Sequence, residues 1–183
     1  MVNIFIIHGA YGNPKENWFF WLKERLQNKN NNVFVPNFPT PNNQTLVNWS
    51  NVFDKYKEYL NKKAIFVAHS LGPAFVLNIL ENNKAKACFF ISGFVGKLGI
   101  EKFDKINKSF TEKKFKWEKI NKNCKDFTVI HSDNDPYVSI EKSKTLAKKL
   151  NTETIVIKDG GHFNEDSGYK KFPFLLKKIK QKL

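Results

Sequence analysis

Short apolar runs alternate with longer amphipathic segments along the whole chain. The apolar runs are rich in β-branched and aromatic residues and are bounded by turn residues, a pattern that predicts β-strands. The predicted strands are residues 2–7, 33–35, 64–68, 87–91, 127–130 and 154–157. Helical periodicity predicts helices at residues 17–27, 46–60, 71–82, 140–150 and 168–182. Strands and helices therefore alternate along the chain.

The composition of the strands predicts how they pair. Residues 4–7 read Ile-Phe-Ile-Ile, and a strand that is apolar at every position is typical of a parallel sheet covered by helices on both faces. The 183 residues fit one domain with a sizeable core, because domains commonly hold about 100 to 200 residues. We predict a single α/β domain over residues 1–183 with a six-stranded, mostly parallel sheet.

Residues 93–126 form a connection between two strands that is far longer than usual. Its aromatic residues alternate with lysines: Phe103, Phe110, Phe115 and Trp117. We interpret the segment as a helical excursion whose aromatic side chains pack on the domain and whose lysines face solvent. The alternative is a basic aromatic surface for single-stranded nucleic acid or lipid headgroups.

The formal net charge of +14 is the strongest feature of the composition, and a basic chain is what a nucleic-acid binder requires. Arg25 is the only arginine, however, and the basic residues are otherwise lysines in a chain that is also rich in asparagine. Phosphate and base recognition favours the bidentate arginine side chain. We predict no specific nucleic-acid partner, only weak binding that decreases steeply as salt rises.

The sequence also argues against a membrane-spanning protein and against a disulfide-rich protein. No apolar run approaches the roughly 18 to 20 residues that span a bilayer, and residues 2–7 lack the flanks of a signal peptide. The two cysteines, Cys88 and Cys124, are too few for a disulfide framework or a metal cluster. We expect a cytoplasmic protein with free thiols, no metal and no membrane partner.

Residues 68–72, Ala-His-Ser-Leu-Gly, join a predicted strand to a predicted helix. A tight turn at this place lifts a serine above the carboxyl end of the strand, provided that the flanking residues are small. Ala68 and Gly72 meet that need, although the usual G-x-S-x-G pattern begins with glycine. We interpret Ser70 as a nucleophile, and the alternative is an ordinary serine that caps a helix.

A serine nucleophile needs a histidine base and a carboxylate that orients it. Among four histidines, His162 follows the last predicted strand within Gly-Gly-His-Phe, where the glycines allow the loop to fold back toward the sheet. Asp133 and Asp135 share the loop after the fifth strand, and spacing leaves either open as the acid. Both choices give the chain order serine, acid, histidine of the α/β-hydrolase arrangement.

The turn after the first strand completes the predicted site. Its backbone N–H groups, in residues 8–12, can point at a developing oxyanion, and the N–H of Leu71 behind the nucleophile adds a second donor. With a strand order of 2-1-3-4-5-6, the winding direction reverses between strands one and three. The turn at Ala10 would then lie beside Ser70, at the edge where open α/β sheets bind ligands.

Nearly the whole chain resembles the small α/β-hydrolase family of YdeN-like and retinoblastoma-binding-protein-9-like serine hydrolases. The resemblance rests on six segments: residues 6–9, 13–14, 17–22, 67–72, 135–138 and 160–163. It implies a compact α/β-hydrolase fold without a lid. It also implies that Ser70 is the nucleophile, Asp135 the acid and His162 the base, with oxyanion donors at Leu71 and Ala10. The L-x-C-x-E motif for retinoblastoma binding is absent, so that partner is not expected.

Two arguments favour Asp135 over Asp133 as the acid. The sequence Pro-Tyr-Val follows Asp135, as in the acid loop of that family, and the proline biases the preceding residue toward an extended conformation. Asp133 lies between Ser132 and Asn134, which favour turns, so its carboxylate is expected to bond nearby backbone amides. Asp133 is therefore predicted to be structural.

The sequence predicts a serine hydrolase that cleaves small carboxylic esters, or amides, through an acyl-enzyme and without a cofactor. The expected partner is a small-molecule acyl substrate, and the expected state is a monomer or weak homodimer. Four residues are predicted to shape the substrate pocket: Tyr11, Trp18, Phe94 and Phe163. The alternative is a non-catalytic binding module on the same fold whose lysine-rich surface meets an acidic partner.

Overall fold

Six parallel strands form one sheet in the computed structural model, which describes residues 1–183. The spatial order is β2-β1-β3-β4-β5-β6, and every neighbouring pair is parallel. The strands are β1 Val2–Ile7, β2 Asn31–Phe34, β3 Ile65–His69, β4 Ala87–Ile91, β5 Phe127–Ser132 and β6 Thr154–Ile157. The predicted α/β fold and strand order are therefore confirmed.

Seven α-helices connect and follow the strands. They are α1 Phe19–Leu26, α2 Leu46–Phe53, α3 Gly72–Leu80, α4 Glu101–Thr111, α5 Trp117–Asn123, α6 Ile140–Lys149 and α7 Pro173–Lys180. The chain also contains two 3-10 helices, Asp54–Tyr59 after α2 and Glu165–Ser167 before α7. None of the helices has the length and apolar character that crossing a membrane requires.

The sheet is buried on both faces, as its apolar strands predict. On one face Phe5 and Phe66 pack with Trp49 and Phe75 in a cluster of 28 buried residues. On the other face a cluster of 17 buried residues includes Trp18, Phe19 and Leu175 beneath α1 and α7. Because both faces are apolar, the polar groups of the site are confined to the carboxyl edge of the sheet, where the strands end.

Two helices differ most from their predicted bounds, while the others differ by one or two residues at an end. The predicted helix over residues 46–60 is α-helical only as far as Phe53 and continues as a 3-10 helix. The last helix begins at Pro173, not at Gly168. Gly168 has a φ of +84°, which ends the preceding 3-10 helix, and proline favours the first helical turn because its nitrogen has no hydrogen to donate.

The long connection over residues 93–126 folds into α4 and α5. Phe110 and Phe115 are buried in the core, and Trp117 packs against the same cluster. The acidic side chains of Glu101 and Asp104 occupy the first turn of α4, where the helix dipole favours negative charge. The predicted helical excursion with docked aromatic residues is confirmed.

Candidate active site

Ser70 lies in a strained turn between β3 and α3. Its φ is +57°, in the left-handed region that non-glycine residues rarely adopt. The turn is held because the Ser70 N–H donates to the carbonyl of Ile91, at 2.9 Å. A Cβ on Gly72 would lie only 2.8 Å from the Ile7 carbonyl oxygen, so α3 approaches β1 closely only because residue 72 has no side chain. The small-residue requirement of the predicted turn is therefore met.

The turn that follows β1 packs directly against Ser70. A Cβ added to Gly9 would lie 2.7 Å from the Cβ of Ser70 and 3.2 Å from its Oγ. The backbone N–H groups of Ala10 and Leu71 donate to no backbone carbonyl. The structure thus brings the two predicted oxyanion donors to the two turns that meet at Ser70.

His8 stabilises the β1 turn from within the core. The N–H of Phe38 donates to His8 Nε2 at 3.1 Å, so the ring hydrogen is on Nδ1, which donates to the Gly9 carbonyl at 2.8 Å. Burial lowers the pKa of His8 to about 4. This neutral histidine therefore orients the peptide beside Ser70 and is not available as a base.

His162 and Asp135 form a buried pair at the same edge of the sheet. His162 Nδ1 donates to the Asp135 carboxylate, at 2.8 Å from Oδ2 and 3.0 Å from Oδ1. The N–H groups of Tyr137 and Val138 donate to the same carboxylate at 3.0 and 3.1 Å. Burial raises the pKa of Asp135, but these hydrogen bonds outweigh it and hold the pKa below its ordinary value. Asp135 is therefore an anion that fixes the imidazole.

Asp133 points to another partner. Its Oδ1 accepts a hydrogen bond from the Asp159 N–H at 2.8 Å, so it binds a backbone amide of the loop that carries the histidine. The structure thus brings Asp135, and not Asp133, to His162. Asp133 thus has a structural contact, as predicted, but the amide that it binds lies 26 residues away in sequence and is not one of the nearby amides that its turn-forming neighbours indicated.

Side chains from four parts of the chain hold the loop that carries His162. Asp159, Gly161 and Phe163 all have φ between 51° and 54°, a geometry that persists only when surrounding contacts impose it. Three backbone N–H groups of the loop donate to side-chain oxygens: Gly160 to Ser132 Oγ at 2.8 Å, Gly161 to Asn134 Oδ1 at 2.7 Å and His162 to Ser167 Oγ at 3.2 Å. Two of its carbonyls accept from side chains: that of His162 from His69 Nε2 at 2.7 Å and that of Phe163 from Trp18 Nε1 at 2.9 Å.

His69 links the turn that carries Ser70 (the nucleophile turn) to the loop that carries His162 (the base loop). Its Nε2–H donates to the His162 carbonyl, and the two imidazole rings lie 4.8 Å apart. Burial, together with the nearby His162, lowers the pKa of His69 to about 3. This role of His69 is not predicted from the sequence. The position of a histidine beside the predicted nucleophile was the only signal in the sequence that could have suggested it.

The buried neutral histidines predict a loss of stability in acid. The pKa of His8 and that of His69 are lower in the folded state than the ordinary value of about 6.5. The unfolded chain therefore binds protons that the folded chain does not, and stability present above pH 6.5 is lost as the pH falls toward 4. Between pH 7.5 and 5.0 we expect each of the two to cost about 2 kcal/mol. Burial also lowers the pKa of His131, which adds to the loss of stability in acid.

Urea unfolding at pH 7.5 and pH 5.0 measures this loss. The matched variant is His8→Gln, which is expected to be less stable than wild type at both pH values but to lose about 2 kcal/mol less than wild type between them. A wild-type protein whose unfolding free energy is equal at both pH values would contradict the assignment of neutral buried histidines.

Ser70 and His162 line one cavity of about 340 Å³. No hydrogen bond joins the Ser70 hydroxyl to the imidazole in this structure, and catalytic hydrogen bonds are often long until a substrate is bound. Four of the 17 residues that line the cavity come from the connection after β4: Phe94, Leu98, Phe103 and Asn107.

The four predicted pocket residues divide into two pairs. Tyr11 and Phe94 line the cavity. Trp18 and Phe163 do not, because both side chains are fully buried in the core beneath α1 and α7, which corrects the prediction that they contact substrate. Their aromatic side chains instead pack where burial of a large apolar surface stabilises the fold. Trp18 supports the site through its hydrogen bond to the Phe163 carbonyl and through the edge contact of its ring with His69 at 6.1 Å.

Comparison with known proteins identifies a matching family and a related hydrolase. A family model described as serine hydrolase matches residues 4–181. YdeN of Bacillus subtilis strain 168, whose name assigns it provisionally as a hydrolase, is 31% identical over 177 residues, which cover 94% of this chain and 91% of that protein.

Solved structures show the same architecture. The crystal structure of the ydeN gene product from B. subtilis matches with a TM-score of 0.89 at 29% identity, covering 99% of this chain and 98% of that one. Est1E from Butyrivibrio proteoclasticus, solved with ferulic acid bound, has a TM-score of 0.69 at 17% identity, covering 98% of this chain and 90% of that one. The second match concerns the fold alone.

Proposed function

The chain belongs to the serine hydrolase family, and from this premise we propose that it hydrolyses small carboxylic esters through an acyl-enzyme formed on Ser70. The observation that carries the proposal is the meeting of a left-handed Ser70 with the His162–Asp135 pair at one cavity. A cavity of about 340 Å³ is at the lower end of the range for small-molecule sites, about 300 to 1,000 Å³. This size favours a compact acyl substrate as the partner.

The reaction begins with attack by the Ser70 hydroxyl on the ester carbonyl carbon. His162 Nε2 accepts the hydroxyl proton as the new C–O bond forms, and the imidazole becomes a cation. Because Nδ1–H already donates to Asp135, Nε2 is the nitrogen left as the base. The Asp135 anion stabilises the cation in a site shielded from water.

The tetrahedral intermediate carries a negative oxygen, and the N–H groups of Ala10 and Leu71, which donate to no backbone carbonyl, are the proposed donors that stabilise it. Its collapse breaks the bond to the alcohol, which leaves with the proton that His162 held. Water then attacks the acyl-enzyme with His162 again as base, and the acid is released while Ser70 regains its proton. An amide would follow the same steps with a poorer leaving group.

Covalent labelling tests this proposal. A fluorophosphonate probe is expected to form one adduct per chain on the native protein, located at Ser70 by peptide mass spectrometry, and to abolish hydrolysis of p-nitrophenyl acetate in proportion to labelling. Urea-unfolded protein is the control and is expected to remain unlabelled, because serine reactivity depends on the assembled site. Labelling elsewhere, or no label together with no hydrolysis of any short acyl ester, would favour the non-catalytic binding module.

A further inference from the structure

The charge of the cavity opposes the charge of the chain. The chain has 31 basic and 17 acidic residues, yet the cavity is lined by three carboxylates and by no lysine or arginine. The carboxylates are Glu16, Glu165 and Asp166. None of the three takes part in a salt bridge. On a surface so rich in lysine, three unpaired carboxylates at one cavity form a local negative field, which favours cationic ligands.

Glu16 is the most enclosed of these carboxylates. It is partly buried, and its hydrogen bonds come from the neutral amides of Asn13 at 3.1 Å and Asn17 at 3.3 Å. Burial raises the pKa of Glu16, and the nearby charge of Glu165 raises it further. Glu16 and Glu165 therefore repel each other when no cation lies between them. A bound positive charge would relieve that repulsion.

Aromatic rings line the cavity beside the carboxylates. Tyr11 and Phe103 are in edge contact at 5.9 Å, and Phe103 and Tyr137 at 5.8 Å. The faces of such rings attract cations within about 6 Å. The ammonium group of Lys102, which lies outside the cavity lining, already sits 5.0 Å from the centre of the Tyr11 ring. The row of rings continues to Tyr137, whose ring lies 5.0 Å from that of His162.

The cavity is a ligand site independently of its carboxylates. His162 is only 7% exposed and lines the cavity. Its side-chain hydrogen bonds both run through Nδ1, which leaves Nε2 without a side-chain partner at the cavity. A substrate that reaches Nε2 and Ser70 would therefore share one cavity with the acidic and aromatic residues.

We propose that this site selects esters that carry an ammonium group a few bonds from the scissile carbonyl, with Glu16, Glu165 and Asp166 as the residues that determine the preference. The inference rests on the proposed ester hydrolysis at Ser70 and names its substrate class. Aromatic faces and carboxylates together bind alkylammonium groups well, because the rings tolerate a weakly hydrated cation and the carboxylates supply its counter-charge.

A pair of isosteric thioesters tests the preference. Acetylthiocholine carries a quaternary nitrogen where 3,3-dimethylbutyl thioacetate carries carbon, so the two differ in charge but hardly in shape. We expect kcat/KM to be at least about tenfold higher for the cationic ester at low salt, and the ratio to fall as salt screens the exposed carboxylates. Choline and 3,3-dimethylbutanol, compared as inhibitors of p-nitrophenyl acetate hydrolysis, give the same comparison without requiring thioester cleavage.

Neutralising the carboxylates assigns the effect to residues. Glu16→Gln, Glu165→Gln and Asp166→Asn are each expected to lower the ratio about twofold to fivefold, and the triple variant should bring it close to one. The matched control is Glu58→Gln, which removes the same charge from an exposed residue outside the cavity. The control should leave the ratio at its wild-type value.

The outcomes separate this inference from the proposed function. Equal rates for the two thioesters with equal inhibition by the two alcohols, or an equal loss of preference in Glu58→Gln, would overturn the inference while ester hydrolysis stands. If no ester is cleaved and no fluorophosphonate adduct forms at Ser70, the proposed function fails and the inference fails with it.

Discussion

Replacement of Ser70 with alanine should lower kcat for ester hydrolysis by about 10⁶-fold, the scale on which loss of the nucleophile acts in serine hydrolases. The change removes the oxygen that forms the acyl-enzyme, and water that takes its place is neither covalently held nor aligned with His162. The backbone turn is expected to persist, since alanine and serine meet similar strain at a φ of +57°. Steady-state kinetics on p-nitrophenyl acetate measure the effect.

The fold must be checked beside the rate. Ser70→Ala should unfold within a few degrees of wild type in a thermal melt, because a partly exposed hydroxyl with no hydrogen bond to the protein is lost. Ser50→Ala is the matched control, as Ser50 lies on α2 and its hydroxyl bonds only the carbonyl of Leu46. A folded Ser70→Ala protein that keeps more than about a hundredth of wild-type kcat would show that another group is the nucleophile.

Asp135→Asn should lower kcat by about 10⁴-fold with little change in fold. The asparagine oxygen can still accept the N–H groups that Tyr137 and Val138 donate to Asp135. Its amide, however, would donate to His162 Nδ1, which places the ring hydrogen on Nε2 and blocks that nitrogen as a base. The loss should appear in kcat more than in KM, because the carboxylate is fully buried behind the imidazole.

The neighbouring aspartate provides a matched comparison within the same loop. Asp133→Asn keeps the oxygen that accepts the Asp159 N–H, so we expect kcat within about tenfold of wild type and a small decrease in thermal stability. Kinetics of both variants on one ester decide the assignment. A nearly wild-type Asp135→Asn beside an inactive Asp133→Asn would mean that the carboxylate roles are reversed in solution.

Much of the architecture can be read from local patterns in the chain. Strands covered on both faces must be apolar at nearly every position, so residues 2–7 and 87–91 were predicted with the bounds that β1 and β4 have. The nucleophile turn is also local, because small residues at 68 and 72 are required by contacts within a few residues of Ser70 and by the adjoining strand. Local patterns of this kind predict Ser70 as the nucleophile, whereas His162 is predicted from its place in a glycine-containing loop after the last strand.

The choice between Asp133 and Asp135 depends on tertiary contacts more than on local sequence. Both follow β5 within the same loop, and spacing leaves either open as the acid. Turn propensity and the proline after Asp135 favour Asp135, but they do not fix where either carboxylate points. The tertiary structure separates them, because Asp135 contacts a histidine 27 residues away while Asp133 contacts the backbone of Asp159. The family-like Pro-Tyr-Val segment indicated the same residue, but the geometry depends on how two loops meet.

The roles of Trp18 and His69 were decided by tertiary structure alone. Their hydrogen bonds to the base loop span 145 and 93 residues of sequence, and hydrophobic periodicity reports only neighbours along one helix or strand. The same limit explains why Trp18 and Phe163 were expected at the substrate. An aromatic residue near a site has the same local pattern whether it lines the cavity or fills the core, and only the packing of α1 and α7 on the sheet determines which occurs.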